Sequence, residues 1–329
     1  NGSARITIKD KDAINRDKLQ TLVVQSAELK ENLYSEGWDT FASALENARA
    51  VAENEEATEA TIRNAYIALE NAKKALVARE KYTETDRFKF PWKPGTSAKL
   101  EAEFATELNN SNDSDSDPDW PMKIADNNDA SNGKFVTDMA FKDVLKYAYH
   151  ADKAGTYHVV MRYRSGSPED AKNGIKITEE NGKIAEKTVV VNPSKENGNV
   201  VFGTVEFDIE VVTPGDGMIS ITAPDTNKGP GIDYFIISPR NVTLGSFDIT
   251  ATAGEGGTIT ADGLTEGKVT VKEDESVTFT IAPKAGYEIA DVKVDGASVG
   301  KKTAYTFDHV DRTHTIEATF AFTNYTAEN

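Results

Sequence analysis

Acidic side chains at alternating positions are the first feature of this sequence that could do chemistry. Glu101 and Glu103, in Leu100-Glu101-Ala102-Glu103, stand two residues apart, so on an extended strand both carboxylates face one side. Hard carboxylate oxygens gathered from neighbouring segments are what Ca²⁺ takes, at about 2.3–2.6 Å. The plainer reading of the same spacing is a solvated face. A second acidic run, Asp113, Asp115, Asp117 and Asp119, has the alternation of a calcium loop but not its template. Pro118 stands where the loop needs Gly and Ile124 where it needs a bidentate Glu, so the run reads as a solvated acidic loop. Trp120 closes that run between Pro118 and Pro121, an aromatic ring in a polar insertion. It either packs locally on the prolines or offers a flat apolar face to a pyranose ring.

Catalytic chemistry finds little support. The histidines, His150, His158, His309 and His314, have no metal-like partners nearby in sequence and read as structural or exposed. There is no G-x-S-x-G elbow, P-loop, dinucleotide fingerprint or H-E-x-x-H pair. Paired carboxylates could in principle hydrolyse a glycoside, but among 54 Asp and Glu such pairs arise by chance. The chain is therefore expected not to be an enzyme. Its formal charge of −17 opposes nucleic acid and anionic membrane partners. The absence of Cys excludes disulfides, thiolate metal sites and cysteine nucleophiles. No apolar run is long enough to span a membrane, and Asn1-Gly2-Ser3-Ala4-Arg5 lacks the pattern of a signal peptide, so the expectation is a region of a longer chain.

Three textures must position these residues. From 13 to 80 the chain has no Pro, is dense in Ala and places apolar residues at helical spacing: Leu19, Leu22, Val23 and Leu29, then Trp38, Phe41, Leu45, Ala48 and Ala52, then Ile62, Ala65, Tyr66, Leu69, Ala72 and Leu76. Ser35 and Thr58 are candidate N-caps, and the pattern predicts a three-helix antiparallel bundle. Residues 81–95, with Phe88, Phe90, Pro91, Trp92, Pro94 and Gly95, read as a linker, and residues 1–12 as a leader or the tail of an upstream module. Residues 96–240 alternate in short runs, as in Thr156 to Arg164, where Tyr157, Val159, Met161 and Tyr163 share a face, and predict an all-β sandwich. Residues 243–323 predict a small β-rich domain, followed by a tail at 324–329.

Family resemblances then attach to particular motifs. Tyr34-Ser35-x-x-Trp38, with Ala44, Leu45 and Ala48 and then Ala68, Leu69 and Ala72, resembles the FIVAR module of secreted bacterial proteins. The middle domain resembles the jelly-roll carbohydrate-binding modules of families 6 and 35, through Leu100 to Glu103, Ser131 to Val136, Tyr147 to Ala151, Ala154 to Tyr157, Met161 to Tyr163, and Gly231-Ile232-Asp233-Tyr234. Gly256 to Ile259, Glu275 to Phe279, Ala285 to Ile289 and Thr315 to Phe320 are similar to internalin-type B repeats.

The resemblance to families 6 and 35 implies a structural Ca²⁺ held by Glu101, Glu103 and Asp233 with loop carbonyls from Ser131 to Lys134. It also implies that Asn132, Arg164 and Asn227 lie in or beside the variable binding edge, near which Trp120 is the candidate stacking ring. One departure is Gly231, where many relatives carry a sugar-contacting Asn. Together the resemblances imply the non-catalytic region of an extracellular or wall-attached Gram-positive glycoside hydrolase, a monomer without membrane insertion. Its partners would be a host mucin-type glycan or plant polysaccharide and a catalytic domain in the same full-length chain. The alternative is a structural spacer or adhesin segment with no sugar site.

Overall fold

The computed structural model describes residues 14–110, 121–166, 174–225 and 229–323. The chain divides into two compact units, 1–241 and 242–329. The first begins with three helices, α1 (Arg16–Ala27), α2 (Trp38–Glu53) and α3 (Glu59–Lys74). Their apolar stripes meet in one core, in which Leu19, Phe41, Ala48 and Leu69 are wholly buried. Asn15 caps α1 by accepting from the Lys18 amide, and Thr58 caps α3 by accepting from the Thr61 amide. Helix α2 does not start at the expected cap. Ser35 lies in the short strand Tyr34–Glu36, which pairs with Val77–Ala78, and Gly37 takes the cap position at φ +85°.

Two sheets of six strands each follow. In the first, the order is Lys187–Val190, Gly174–Glu179, Gly215–Thr222, Val144–Ala151 and Phe88–Lys89, with Glu107–Asn109 also pairing with Val144–Ala151. In the second it is Gly203–Val211, Gly155–Arg164, Gly231–Val242, Lys134–Thr137 and Lys123–Asp126, with Ala98–Glu101 also on Gly231–Val242. The alternation read in the strand Gly155–Arg164 has a structural counterpart: Tyr157, Val159, Met161 and Tyr163 are buried while the residues between them are half-buried.

Of residues 81–95, expected to be a linker, the part from Tyr82 to Phe90 is built into this core instead. Phe88–Lys89 runs parallel to Tyr149 and His150 as an edge strand, and Tyr82, Phe88 and Phe90 are buried. The Phe90 ring lies 5.4 Å from that of Tyr149 and 5.2 Å from that of Tyr157. Proline and glycine punctuation suggested an exposed connection; the aromatic residues between them supply enough apolar surface to outweigh it.

The second unit has a five-stranded sheet, in the order Lys268–Lys272, Ser246–Ala253, His314–Phe322, Tyr287–Val294 and Ala297–Gly300. A three-stranded sheet, Gly257–Thr260, Val277–Pro283 and Ala304–Phe307, completes it. Ile249, Phe279, Val292 and Ile316 are its fully buried centre. Among the described residues no helix is long and apolar enough to cross a membrane. The clearest energetic consequence of the fold concerns the aromatic segment: Phe90→Ala should lower unfolding free energy by about 3–5 kcal/mol. Denaturant unfolding checks it, since a residue on a free linker would change stability by less than about 0.5 kcal/mol.

Candidate functional site

Strand pairing assembles the carboxylates. Ala98–Glu101 lies antiparallel to Gly231–Val242 with Glu101 opposite Tyr234, which brings Glu101 beside Asp233. The strand ends there. Glu103 lies in a single 3₁₀ turn, Ala102–Phe104, so the period-two argument for its direction does not apply, and the turn rather than a strand face buries it. The turn is held by the Tyr147 hydroxyl, which donates to the Ala102 carbonyl at 2.8 Å. Glu101, Glu103 and Asp233 retain 2%, 4% and 0% of their exposure, extreme values for ionisable groups.

Their partners come from three other segments. In the turn after Lys123–Asp126, the Ser131 amide donates to Asp233 Oδ1 at 3.0 Å and its hydroxyl to Glu101 Oε1 at 3.1 Å. The Asn132 side-chain amide donates to Glu103 Oε1 at 3.0 Å. Lys99 Nζ lies 2.9 Å from Glu101 Oε1, and Arg162 pairs with Asp233 while donating to the Asp129 carbonyl at 2.9 Å. From the helical segment, Asn32 Nδ2 donates to Glu101 Oε1 at 3.4 Å. Lys134 opens the strand Lys134–Thr137, and its exposed side chain binds Asp126 at 2.7 Å.

Three carboxylates thus meet two cations. Glu101 Oε2 and Glu103 Oε2 are buried with no hydrogen-bond partner. Burial pushes the Glu103 carboxyl from 4.5 up to about 7, against its hydrogen bonds to backbone and Asn132, and the neighbouring Glu101 and Asp233 add to the rise. Two orphaned, buried carboxylate oxygens have the donor chemistry of a hard cation site. Asp233 does not share it in this arrangement, because Arg162 holds it. Among the described residues no three Asp, Glu or His side chains converge on one ion position.

A cleft of about 610 Å³ opens at the other end of Lys134–Thr137. Thr137 to Phe141, Arg164 to Gly166, Val200, Gly229 and Gly231 line it. Three residues of its wall loop, Asp138, Phe141 and Lys142, have φ of 60°, 47° and 69°. Such left-handed values are costly outside Gly and persist only where neighbours impose them. Here the Asp143 carboxylate accepts from the Ala140 amide at 3.2 Å, and the Lys142 amide donates to the Pro224 carbonyl at 3.2 Å. Arg164 reaches the cleft beside the Phe135 and Phe202 rings, 5.6 and 5.7 Å from their centroids, and donates to the Val200 carbonyl at 3.3 Å.

The expected sugar-binding residues divide three ways. Arg164 lines the cleft. Asn132 is engaged with Glu103 in the carboxylate cluster. Trp120 and Asn227 lie outside the described residues, as does the Asp113 to Asp119 run. Phe141, a half-buried ring on the cleft wall, was not singled out from the sequence; its neighbours Ala140 and Lys142 give no alternation to flag it. The structure also accounts for Gly231. A Cβ there would come within 2.9 Å of the Phe135 ring, and one at Gly229 within 2.0 Å of the Met139 carbonyl, so the place of an Asn side chain is filled by Phe135.

Each histidine ring contacts carboxylates: His150 with Asp216 and Asp152 at 2.6 and 3.0 Å, His158 with Asp208 at 3.1 Å, His309 with Asp274 at 3.0 Å and His314 with Asp295 at 2.7 Å. The His309 amide also donates to the Ser276 hydroxyl at 3.3 Å.

No protein-family model matches the sequence, and no curated protein matches it. Among solved structures, the chain is similar to a family 6 carbohydrate-binding module of a Cellvibrio mixtus lichenase, in complex with cellotriose. That likeness has 16% identity, 44% of this chain, 98% of the module and a TM-score of 0.33. A family 35 carbohydrate-binding module from Clostridium thermocellum is similar at 18% identity, over 43% of this chain and 98% of that one, with a TM-score of 0.33. An exo-β-1,3-galactanase from Phanerochaete chrysosporium, with β-1,3-galactotriose, is similar at 15% identity, over 44% of this chain and only 30% of the enzyme, with a TM-score of 0.32. The neighbours are thus carbohydrate-binding modules and a glycoside hydrolase.

Glu103 generates a pH prediction for the metal-free protein. The folded state keeps its proton up to about pH 7 while the unfolded chain releases it near 4.5, so the folded state binds more protons in that window. Stability in EDTA therefore falls as pH rises from about 4.5 to about 7 and then levels off. Glu103→Gln should remove this component. Urea unfolding of both proteins across the window checks it, and equal slopes would refute it.

Proposed function

We propose that the sandwich, with Tyr82 to Phe90 as part of its core, forms a glycan-binding module whose saccharide sits in the cleft of Asp138, Phe141, Arg164 and Gly231. The observation that carries this reading is a strained loop held in place from two sides around an open, mixed polar and apolar cleft. Strain maintained at a cleft wall pre-organises contacts, which lowers the ordering cost of binding. Phe141 supplies a ring for stacking, and Arg164 and Asp138 supply a charged donor and a charged acceptor for hydroxyls. The module is non-catalytic. It targets a catalytic domain of a longer secreted chain to a complex carbohydrate by raising effective concentration, so even an affinity in the micromolar to millimolar range suffices. The three helices are FIVAR-like, and the second unit is a repeat-like spacer.

Calcium belongs to the same proposal. Glu101 and Glu103 would hold the ion through their unpartnered oxygens, with the Lys134 carbonyl and Asp233 as the further ligands. When bound, calcium supplies positive charge to a buried site with more carboxylates than cations. The chain's own contribution is to bury that site beside the paired strands Ala98–Glu101 and Gly231–Val242.

A second reading, a spacer without a sugar site, is favoured by the Phe135 ring filling the place of the usual Asn. Calorimetry or affinity electrophoresis on mucin-type glycans, mannan, galactan and uronic-acid oligosaccharides separates the two. We expect binding to at least one, weakened about tenfold or more by Phe141→Ala and by Arg164→Ala with little change in melting temperature. Absence of binding would establish the spacer, and binding indifferent to both substitutions would refute this cleft as the saccharide site.

A further inference from the structure

A second cleft lies within the first unit, where the helical segment meets the sandwich. Its volume is about 650 Å³, in the range of small-molecule sites. Lys30 to Asn32, the strand Tyr34–Glu36 and the first turn of α2 line it together with Arg79, Tyr82, Asp86 to Lys89, Ser97 to Lys99 and Ile236. Arg79 ties these segments together. Its amide donates to the Leu33 carbonyl at 2.8 Å, its Nε to the Asn32 carbonyl at 3.0 Å and another guanidinium nitrogen to the Tyr34 carbonyl at 2.7 Å. It also pairs with Asp86 and lies over the Tyr82 ring at 4.2 Å. The cleft is thus a braced feature of the fold.

Its lining has a flat apolar part and a polar rim. The half-buried rings of Tyr34 and Trp38 stack on each other at 5.9 Å with an interplanar angle of 18°, and both line the cleft, Trp38 being backed by Phe41 at 5.1 Å. Beside them α2 starts at Gly37, which offers no side-chain cap, so the amides of Trp38, Asp39 and Thr40 have no partner within the helix. Gly37 is itself obligatory there: a Cβ would meet the Ala75 carbonyl at 2.9 Å in a backbone conformation that L side chains rarely adopt. Five basic and four acidic side chains line the cleft, a near balance that disfavours a polyanion. A stacked aromatic pair with a rim of balanced donors and acceptors suits the apolar face and the hydroxyls of a neutral sugar.

We infer that this cleft is a second saccharide site, taking a neutral sugar ring on Tyr34 and Trp38. It is separate from the Phe141 and Arg164 cleft, so the two sites can be tested apart. The test uses the full chain carrying Phe141→Ala and Arg164→Ala, titrated with cellotriose, chitotriose, mannotriose and β-1,3-galactotriose. Heat of binding and tryptophan emission are recorded together. At least one trisaccharide should bind in that background and shift the emission. Tyr34→Ala should weaken it about tenfold or more, and so should Ser97→Phe, which fills the cleft from an exposed position on the sandwich wall. Far-UV circular dichroism monitors the helices, and if Tyr34→Ala unfolds them, Ser97→Phe alone decides the outcome. No binding by any of the four at about 10 mM, or binding unaffected by Ser97→Phe, overturns the inference. Loss of wild-type sensitivity to the Phe141 and Arg164 substitutions would instead overturn the first site and leave this one standing.

Discussion

Three buried carboxylates facing two cations is the constraint on which the sandwich depends. Glu101 ends the first strand of its sheet, Asp233 sits in the long strand beside it, and Ser131 and Asn132 close the site from the turn between two further strands. Removing carboxylates from water costs several kcal/mol each unless charge and hydrogen bonds replace the solvent. Lys99 and Arg162 supply part of that replacement, and the orphaned oxygens of Glu101 and Glu103 show where it is incomplete. A proton on Glu103 or a bound cation resolves the imbalance. These are competing solutions, and the choice between them couples pH, metal and stability.

The cluster also positions the cleft. Arg162 and Arg164 stand two residues apart on one strand, so their side chains leave the same face. Arg162 is fixed by Asp233 and the Asp129 carbonyl, and both guanidinium groups lie against the Phe202 ring, at 4.3 and 5.7 Å. Holding Arg162 fixes the local strand and the ring that Arg164 uses. Asn32 extends the same network into the helical segment, close to the loop that forms the second cleft. The cluster is therefore placed to influence the order of both clefts.

The fold was more legible than the sites. Helical spacing in Phe41, Ala48, Ile62 and Leu69 and alternation in Tyr157 to Tyr163 survive because each element buries a single periodic face. The segment from Lys81 to Gly95 did not read correctly, since Pro and Gly signal a break locally while Phe88 and Phe90 are buried by strands distant in sequence. Ser35 met the compositional rule for a cap, but the pairing of its segment with Val77 and Ala78 drew it into a strand. Glu101, Glu103 and Asp233 were legible as residues through a family resemblance, whereas the counter-ions Lys99 and Arg162 were not, because long-range pairing has no local pattern. Phe141 was invisible for the same reason.

Calcium titration of the EDTA-stripped full chain near pH 6.5, in buffers of different ionisation enthalpy, tests the central claim most directly. If Ca²⁺ replaces the proton as partner of the buried carboxylates, one ion binds, protons are released to the buffer, and Glu103→Gln abolishes both effects. Absence of calcium binding, or binding with no proton release and no sensitivity to Glu103→Gln, would contradict the account and leave the cluster as a proton-balanced ion-pair network.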